Sequence, residues 1–263
     1  MVLDPVVLNP VVVNQHTPVL LLRGLSREQR HWGRLRPVLS SALPNPLLSF
    51  DYAGCGELYQ QHSAADIALL RQSVRQQLQQ SPAFNGKVHL VALSLGGMLA
   101  LDWAIQYPQE IASVVLINSS ARPLSPFYQR LRWRNYPALL ALPWLSLPLR
   151  EQLILQLTSR KARQDPQLVK CWIGYQQQRP VSRANMLRQL WGAARFRLSA
   201  APVCPSLVLS SAADSLVNPG CSLALASYLC AEHQQHSWAG HDIALDDPDW
   251  LASQIAGFIQ RQV

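Results

Sequence analysis

The chain has 263 residues, of which 49% are hydrophobic and only 14% are charged. This composition excludes an intrinsically disordered chain and the length excludes a disulfide-held miniprotein, so we expect one domain over residues 1–263. The formal net charge is +8 at pH 7, and the positive charge is concentrated, because fourteen Lys and Arg but only two acids lie between Arg122 and Arg197.

The N-terminal residues and the most apolar stretch predict neither an export signal nor a membrane span. Residues 1–10 include Asp4 and two prolines, and they lack the basic start and small-residue cleavage site of a secretory signal. Residues 136–149 contain three prolines and are too few to cross a bilayer. The five cysteines form no C-x-x-C pair, so we expect reduced thiols and no metal site. We therefore expect a soluble, cytoplasmic protein without a transmembrane segment.

The first half of the chain predicts a mostly parallel β-sheet with helices on both faces, the architecture of an α/β protein. From residue 19 onward, short β-rich runs alternate with helical patterns. The predicted strands are residues 19–22, 47–50, 88–91 and 113–117. Ser63 and Asp66 predict a capping box, and the apolar positions 67, 70, 74 and 78 that follow predict one face of a helix.

The second half begins with an insertion and then returns to the same alternation. For about eighty residues, proline-interrupted helical patterns rich in Trp, Leu and Arg replace the strands. A strand at 207–209, a helix near 222–229 and a short strand near 235–238 follow. Asp247 as N-cap and Pro248 at the first helical position predict a final helix.

Ser94 stands between a predicted strand and a predicted helix, in the run Ala-Leu-Ser-Leu-Gly-Gly of residues 92–97. Small residues flank a nucleophilic serine where the backbone turns too tightly for side chains, and this run departs from G-x-S-x-G only at Ala92. A serine hydroxyl becomes a nucleophile only with a base, a group that orients the base, and donors for the oxyanion. The alternative is a serine that only caps the helix.

Two candidate partners follow Ser94 in the chain. Asp214 comes just after the strand at 207–209, and His241 lies between the last predicted strand and the final helix. Serine, acid and histidine therefore occur in the chain order of one known catalytic triad. Taken singly, Asp214 is compatible with a turn and His241 with a surface loop. Asp242 is the rival acid, but neighbouring residues rarely point their side chains at each other, so we favour Asp214.

With these three residues in this order, the sequence resembles the α/β-hydrolase family over almost its whole length. Residues 51–56, with Asp51, Gly54 and Gly56, are similar to a structural D-x-x-G-x-G turn of that family. The resemblance implies a helical lid over residues 121–199. It also implies a hydrolase that cleaves an ester or thioester through an acyl-Ser94 intermediate, without a metal or an organic cofactor. A serine-dependent C–C bond hydrolase, a lipase and a non-catalytic ligand-binding protein of the same fold remain alternatives.

The resemblance also suggests which groups surround the nucleophile. By position, the backbone N–H groups of Leu25 and Leu95 are expected to hold the oxyanion. The family usually has His-Gly where this chain has Arg23 and Gly24. Arg23 is expected either to bind an acidic group of the substrate or to pair with a carboxylate of the protein. Trp32 is expected either to line the pocket or to pack in the core.

The basic residues of the predicted lid bear on the substrate. They suit an acyl chain carried on an anionic partner, such as coenzyme A or acyl carrier protein, or held at an anionic membrane surface. The alternative is a solvated face that keeps a leucine-rich lid soluble. Four arginines represent this basic set: Arg130, Arg132, Arg134 and Arg188. No nucleic-acid-binding module is recognisable, so we expect a small-molecule or carrier-bound acyl substrate and no nucleic acid.

Overall fold

The computed structural model describes residues 16–262, and the expectation of a missing export signal at residues 1–10 lies outside them. Within the described range, six strands form one sheet in the order β2-β1-β3-β4-β5-β6, and all neighbouring strands are parallel. The strands are β1 Val19–Leu22, β2 Leu47–Ser49, β3 Val88–Leu93, β4 Ile111–Ile117, β5 Ser206–Ser211 and β6 Glu232–His236. None of the described helices is long and apolar enough to span a membrane.

Helices cover both faces of this sheet, which confirms the predicted fold class. The α-helices are α1 Leu35–Ala42, α2 Ile67–Gln79, α3 Leu95–Gln106, α4 Phe127–Arg130, α5 Tyr136–Ala141, α6 Leu147–Thr158, α7 Pro166–Gln178, α8 Arg183–Arg195, α9 Pro219–Leu229, α10 Ile243–Asp246 and α11 Pro248–Gln260. Helices α2, α3 and α9 pack on one face of the sheet. Helices α1, α10 and α11 pack on the other.

The strands divide their side chains between two cores. In β1, Leu20 and Leu22 belong to the core beneath α2 and α3, whereas Val19 and Leu21 belong to the core beneath α1 and α11. All four are fully buried because alternate residues of a strand point to opposite faces, and both faces are covered. This is the physical reason why β1 is a continuous apolar run and why β3 and β4 are apolar except at His89 and Ser113, whose side chains contact each other at 2.8 Å.

Two local predictions are wrong in detail. The N-cap of α2 is Asp66 alone, whose carboxylate accepts from the N–H groups of Ala68 and Leu69, whereas the Ser63 hydroxyl accepts from Gln189. The last strand spans Glu232–His236 rather than residues 235–238. Among the described strands it is the polar edge of the sheet and pairs only with β5, so it lacks the apolar signal that locates the central strands.

Helices α4 to α8 all lie between β4 and β5, in residues 121–199, which we call the inserted segment. Its two ends meet, because Arg122 forms an isolated parallel bridge with Arg197 and its carbonyl accepts from the Leu198 N–H at 2.7 Å. The helices it adds lie over the carboxyl end of the sheet, where their side chains border Ser94. The exact borders of a lid at 121 and 199 stay a prediction.

Candidate active site

Ser94 lies at the turn from β3 into α3, with φ 55° and ψ −114°, a backbone conformation that is uncommon outside glycine. The two glycines after it permit this turn. A Cβ added to Gly96 would stand 2.4 Å from the carbonyl oxygen of Leu22, and one added to Gly97 would stand 2.5 Å from Ser119 Oγ. The start of α3 is therefore pressed against β1 and the end of β4, and Ser94 is held at the carboxyl edge of the sheet.

Two backbone amides border Ser94. Leu95 is the first residue of α3, so its N–H is one of the donors that a helix leaves unpaired at its start. Leu25 follows Gly24, where an added Cβ would lie 3.5 Å from the Cβ of Ser94. Over residues 16–262, neither amide donates to another backbone group. Both are thus available to a negatively charged oxygen bound beside Ser94.

His241 and Asp214 are brought together from two loops at the same edge of the sheet. His241 Nδ1 lies 2.7 Å from Asp214 Oδ2, and both side chains are buried. The other carboxylate oxygen of Asp214 accepts from the N–H groups of Leu216 and Val217, at 2.8 and 2.9 Å. Because Nδ1 is engaged and the carboxylate is fixed, proton transfer to or from the imidazole falls to Nε2.

The surroundings of His241 favour its protonated form. Burial lowers the pKa of His241, but the charge of Asp214 and its hydrogen bond raise this pKa, and the net result lies above the ordinary value of histidine. Asp242 adds to the increase and Arg23 opposes it. The imidazole of His241 therefore holds a proton more strongly than an ordinary histidine side chain does.

Asn118 was missed by the sequence reasoning. It follows β4 directly, and its side-chain NH₂ donates to the His241 carbonyl at 2.8 Å and to Ser211 Oγ at 3.0 Å. Its side-chain oxygen accepts from the Ser211 N–H at 2.9 Å. Asn118 thus ties the His241 loop to the end of β5. The available signal was a polar residue directly after a buried strand, at the edge where loops of parallel sheets meet.

Asp242, the rival acid, is occupied by Arg23. The distance from Arg23 Nη2 to Asp242 Oδ2 is 2.6 Å, and both side chains are buried. Of the two expectations for Arg23, the structure therefore has the ion pair with a protein carboxylate. This pair and the contact between His241 and Asp214 assign the two acids to different partners.

Of the two expectations for Trp32, the structure has packing in the core and not lining of the pocket. It is only 1% exposed and packs in the core with β1 and α1, and it does not line the cavities beside Ser94. The Arg23 guanidinium lies 4.6 Å from the centre of its ring, a cation–π contact. Trp32 therefore contacts Arg23, which does border the smaller cavity, without bordering that cavity itself.

Two cavities meet at Ser94, and both are covered by helices of the inserted segment. The smaller has a volume of about 90 Å³ and is bordered by Arg23, Ser26, Arg27 and His241. The larger has a volume of about 390 Å³, and its lining is mostly apolar. It includes Leu95, Met98, Leu131, Leu139, Leu190, Val217 and Arg130. Apolar side chains such as Leu142, Ile154 and Trp172 line the smaller cavity as well, so the space on both sides of Ser94 is mostly apolar.

The sequence analysis grouped Arg130 with the basic residues on the surface of the lid, but Arg130 does not lie on the surface. It is buried, and its guanidinium donates to the carbonyls of Ala193 at 2.7 Å and Ala194 at 3.3 Å, in the last turn of α8. Burial, and then the charge of Arg122, lowers the pKa of Arg130 to about 10. Arg130 is buried for a tertiary reason. The last carbonyls of a helix lack partners within that helix, and those of α8 attract the guanidinium cation.

The turn at residues 51–56 contributes to the site indirectly, by holding the chain segment that follows β1. The Asp51 carboxylate accepts from the N–H groups of Glu57 at 2.9 Å and Gln29 at 2.8 Å. Gly56 has φ 49°, and a Cβ there would overlap the Asp51 side chain. The turn thus ties two loops together, which agrees with the structural part that the sequence suggested for it.

Residues 19–254 match the family described as the alpha/beta hydrolase family. The chain belongs to the α/β-hydrolase family, and it is a hydrolase. It is 28% identical over 243 residues to the protein named "Putative carbamate hydrolase RutD" of Klebsiella pneumoniae (strain 342), with 88% of this chain and 86% of that protein covered. A protein of the same name from Caulobacter vibrioides (strain NA1000 / CB15N) is 26% identical over 267 residues, which cover 92% of this chain and 90% of that protein.

Solved structures show the same fold at low identity. The enol-lactonase from Burkholderia xenovorans LB400 superimposes with a TM-score of 0.77 at 17% identity, covering 93% of this chain and 92% of that one. A thermophilic esterase from Thermogutta terrifontis gives a TM-score of 0.75 at 20% identity, with 94% and 90% covered. These similarities confirm the α/β-hydrolase fold predicted from the sequence.

The buried pair of Arg23 and Asp242 predicts a stability difference. Asp242→Asn should lower the free energy of unfolding by about 3–5 kcal/mol, because it leaves a buried guanidinium without its counter-charge. Asp249→Asn is the control, since its pair with Arg34 is exposed and 3.7 Å long, and it should cost less than about 1 kcal/mol. Urea unfolding of both variants measures the difference. Equal, small losses would contradict a structural role for the buried pair.

Proposed function

We propose that this hydrolase cleaves a carboxylic ester or thioester through an acyl-enzyme formed on Ser94. The observation that carries the proposal is the 2.7 Å contact between Asp214 and His241, whose imidazole borders the same cavity as Ser94. The names of its relatives agree in one respect. A carbamate, a lactone and a simple ester all break at a carbonyl carbon bonded to a heteroatom.

Each residue of the site has a part in the proposed reaction. His241 Nε2 takes the proton from Ser94 Oγ as this oxygen attacks the carbonyl carbon, and the Leu25 and Leu95 N–H groups stabilise the resulting oxyanion. His241 then gives the proton to the leaving alcohol or thiol, and a water molecule repeats the sequence to release the acid. Asp214 orients the imidazole. These steps need neither a metal nor an organic cofactor.

The inserted segment acts as a lid in this proposal. Its helices cover both cavities beside Ser94 and so limit the access of water. Excluding water strengthens the electrostatic interactions that stabilise the transition state. The large cavity holds the acyl chain, because its lining is mostly apolar. A ligand-binding protein of the same fold could use these cavities too, so reactivity at Ser94 is the property that separates the two functions.

Substitutions at the site test the nucleophile, the base and the acid. Ser94→Ala should abolish labelling by a fluorophosphonate probe and lower kcat for p-nitrophenyl esters by several orders of magnitude. His241→Ala should do the same. Asp214→Asn should lower kcat by about 10⁴-fold because the orientation of the imidazole is lost.

Asp242→Asn is the matched control for Asp214→Asn in this experiment. It is assayed at a temperature at which circular dichroism shows that the variant is folded. A larger loss of kcat in Asp242→Asn than in Asp214→Asn would mean that the wrong aspartate is assigned. Labelling that persists in Ser94→Ala would remove Ser94 as the nucleophile.

The raised pKa of His241 predicts the acid limb of the pH profile. The base must be neutral to accept the serine proton, so kcat/KM should fall as the pH decreases, with a midpoint above about 6.5. In Asp214→Asn the residual activity should show a lower midpoint, because the carboxylate charge that raises the pKa is gone. Rates from pH 5 to 8 measure both midpoints. A flat profile in this range would contradict histidine as the base.

The basic residues of the lid are proposed to attract an anionic acyl carrier, such as coenzyme A or acyl carrier protein. Of the four arginines named from the sequence, Arg130 is buried, Arg132 and Arg188 are half-buried, and Arg134 is exposed. The test therefore keeps Arg134 and adds two other exposed arginines of this segment, Arg183 and Arg195. Their triple change to Gln should lower kcat/KM for an acyl-CoA thioester by about 10-fold at low salt, through slower association. In the native enzyme, added salt should produce the same loss, because it screens exposed charges beyond about 8 Å.

Lys87→Gln is the control for this charge effect, since Lys87 is exposed and lies outside the inserted segment. It should leave the thioester rate unchanged, and a small neutral ester should respond to none of the changes. If salt affects neutral and charged substrates equally, the basic residues serve solubility and the carrier proposal fails.

A further inference from the structure

A third cavity lies beside the larger one, where the two ends of the inserted segment meet. It has a volume of about 470 Å³, and two exposed arginines, Arg122 and Arg197, border it. The other lining residues are Pro123, Ser125, Pro126, Phe127 and Ala194. None of the described acids is among them. We call this space the arginine cavity.

The backbone holds the two arginines side by side. Arg122 and Arg197 are paired in the isolated parallel bridge, and residues paired in this way point their side chains to the same side. Over residues 16–262, neither guanidinium forms a hydrogen bond or an ion pair. Like charges on paired residues repel each other, so an anion that contacts both guanidiniums relieves this repulsion.

The two acids of the inserted segment are engaged elsewhere. Glu151 is buried beside Arg27, and Asp165 caps the start of α7. The nearby Arg130 adds another cation, since its guanidinium donates to backbone carbonyls and its pKa is lowered first by burial and then by the charge of Arg122. The described chain therefore leaves the positive charge at the arginine cavity uncompensated, and an anionic ligand fits there.

Two guanidiniums match a phosphate group better than a carboxylate. A single arginine can satisfy both oxygens of a carboxylate through two parallel hydrogen bonds. A phosphate monoester offers three oxygens and a charge of about −1.5 to −2 at pH 7, so it can accept from both arginines at once. The pair of Arg122 and Arg197 is therefore suited to a terminal phosphate group.

The arginine cavity adjoins the larger cavity beside Ser94, because Phe127 and Ala194 border both. The Phe127 side chain is 70% exposed and gives an apolar surface at the boundary. The lining of the larger cavity is mostly apolar. An apolar chain that starts at Ser94 and follows the larger cavity to Phe127 thus ends beside the two arginines.

The position of His241 indicates which end of a substrate follows this path. His241 borders the smaller cavity and not the larger one. The atom that receives a proton from His241 belongs to the leaving group, so the leaving group lies on the side of the smaller cavity. The acyl chain then occupies the larger cavity and points toward the arginine cavity.

We propose that Arg122 and Arg197 form a binding site for a phosphate group at the far end of the acyl chain of the substrate. The substrate class is then an ester of a chain acid that carries a phosphate group at the end away from the ester bond. The assignment to the acyl side rests on the proposed function, whereas binding of a phosphate-bearing chain does not. This site is separate from the attraction of a carrier by Arg134, Arg183 and Arg195, none of which borders the arginine cavity.

Matched esters isolate the phosphate group. Methyl ω-phosphonooxyalkanoates of increasing chain length are compared with methyl alkanoates of the same length, and methanol release is measured. In the native enzyme the gain in kcat/KM from the phosphate should be largest at one chain length, the length that spans the larger cavity. Arg122→Gln/Arg197→Gln should lower kcat/KM for that phosphate ester by about 10- to 50-fold relative to its unphosphorylated partner.

Arg163→Gln/Lys170→Gln is the matched control. It removes the same charge from the inserted segment, but both residues are exposed and border none of the three cavities. It should keep the native ratio of the two rates. Arg122→Gln/Arg197→Gln should not lower the Tm, because these residues are joined only through their backbones. This second readout separates a lost ligand contact from damage to the fold.

Three results would overturn the proposal. Equal losses in the two double variants would show that only the net charge of the segment matters. A larger arginine-dependent gain from a terminal carboxylate than from a terminal phosphate would contradict the assigned anion. An arginine-dependent preference for ω-phosphonooxyalkyl acetates over alkyl acetates, without one for the methyl esters, would place the phosphate on the leaving group.

A binding measurement keeps this inference separate from the proposed reaction. If no ester is hydrolysed in a Ser94-dependent manner, the proposed function fails, and binding of octyl phosphate and of inorganic phosphate is then measured by calorimetry. Octyl phosphate binding that Arg122→Gln/Arg197→Gln weakens by about 5-fold or more, and that the control variant leaves unchanged, would support the site. Inorganic phosphate that binds as tightly as octyl phosphate would show an ion site without a chain and would overturn the proposal.

Discussion

The close approach of α3 to the sheet is the constraint on which the rest of the site depends. The backbone at Gly96 lies so near the Leu22 carbonyl that no side chain fits between them. This contact forces the chain to turn sharply at Ser94, which accounts for the positive φ of a residue that is not glycine. The same contact sets the first N–H of α3 beside the loop that follows β1. One steric constraint therefore positions the serine hydroxyl and a pair of free amides together.

Buried ion pairs hold the remaining loops against this turn. Arg23 joins the loop after β1 to the His241 loop through Asp242, and Arg27 joins the same loop to α6 of the inserted segment through Glu151. Buried pairs of this kind add little net stability but are costly to break, so they specify one arrangement of loops. They also keep Asp242 away from the imidazole, which leaves Asp214 as its partner. The Asn118 side chain adds hydrogen bonds to the His241 carbonyl and to Ser211, which fix the His241 loop to β5.

The sequence predicted features whose cause is local and missed those whose cause is tertiary. The central strands were found because burial on two faces demands largely apolar runs, whereas β6 was displaced because an edge strand of polar residues lacks that signal. The order of Ser94, Asp214 and His241 was visible because each follows a strand or precedes a helix. Arg130 was placed on the surface because its partners are carbonyls of α8, about sixty residues away, and no pattern in the sequence marks a backbone carbonyl.

The two cavities beside Ser94 differ in size and in what borders them, although the lining of both is mostly apolar. In the larger one, apolar contact is almost proportional to area, so chains that differ by one methylene differ little in free energy. The smaller one is also bordered by Arg23 and Arg27, whose charges are already paired with Asp242 and Glu151, so an uncompensated charge on a ligand would be costly there. Because these ion pairs also hold the loops, the smaller cavity cannot change shape without loosening the loop that carries His241.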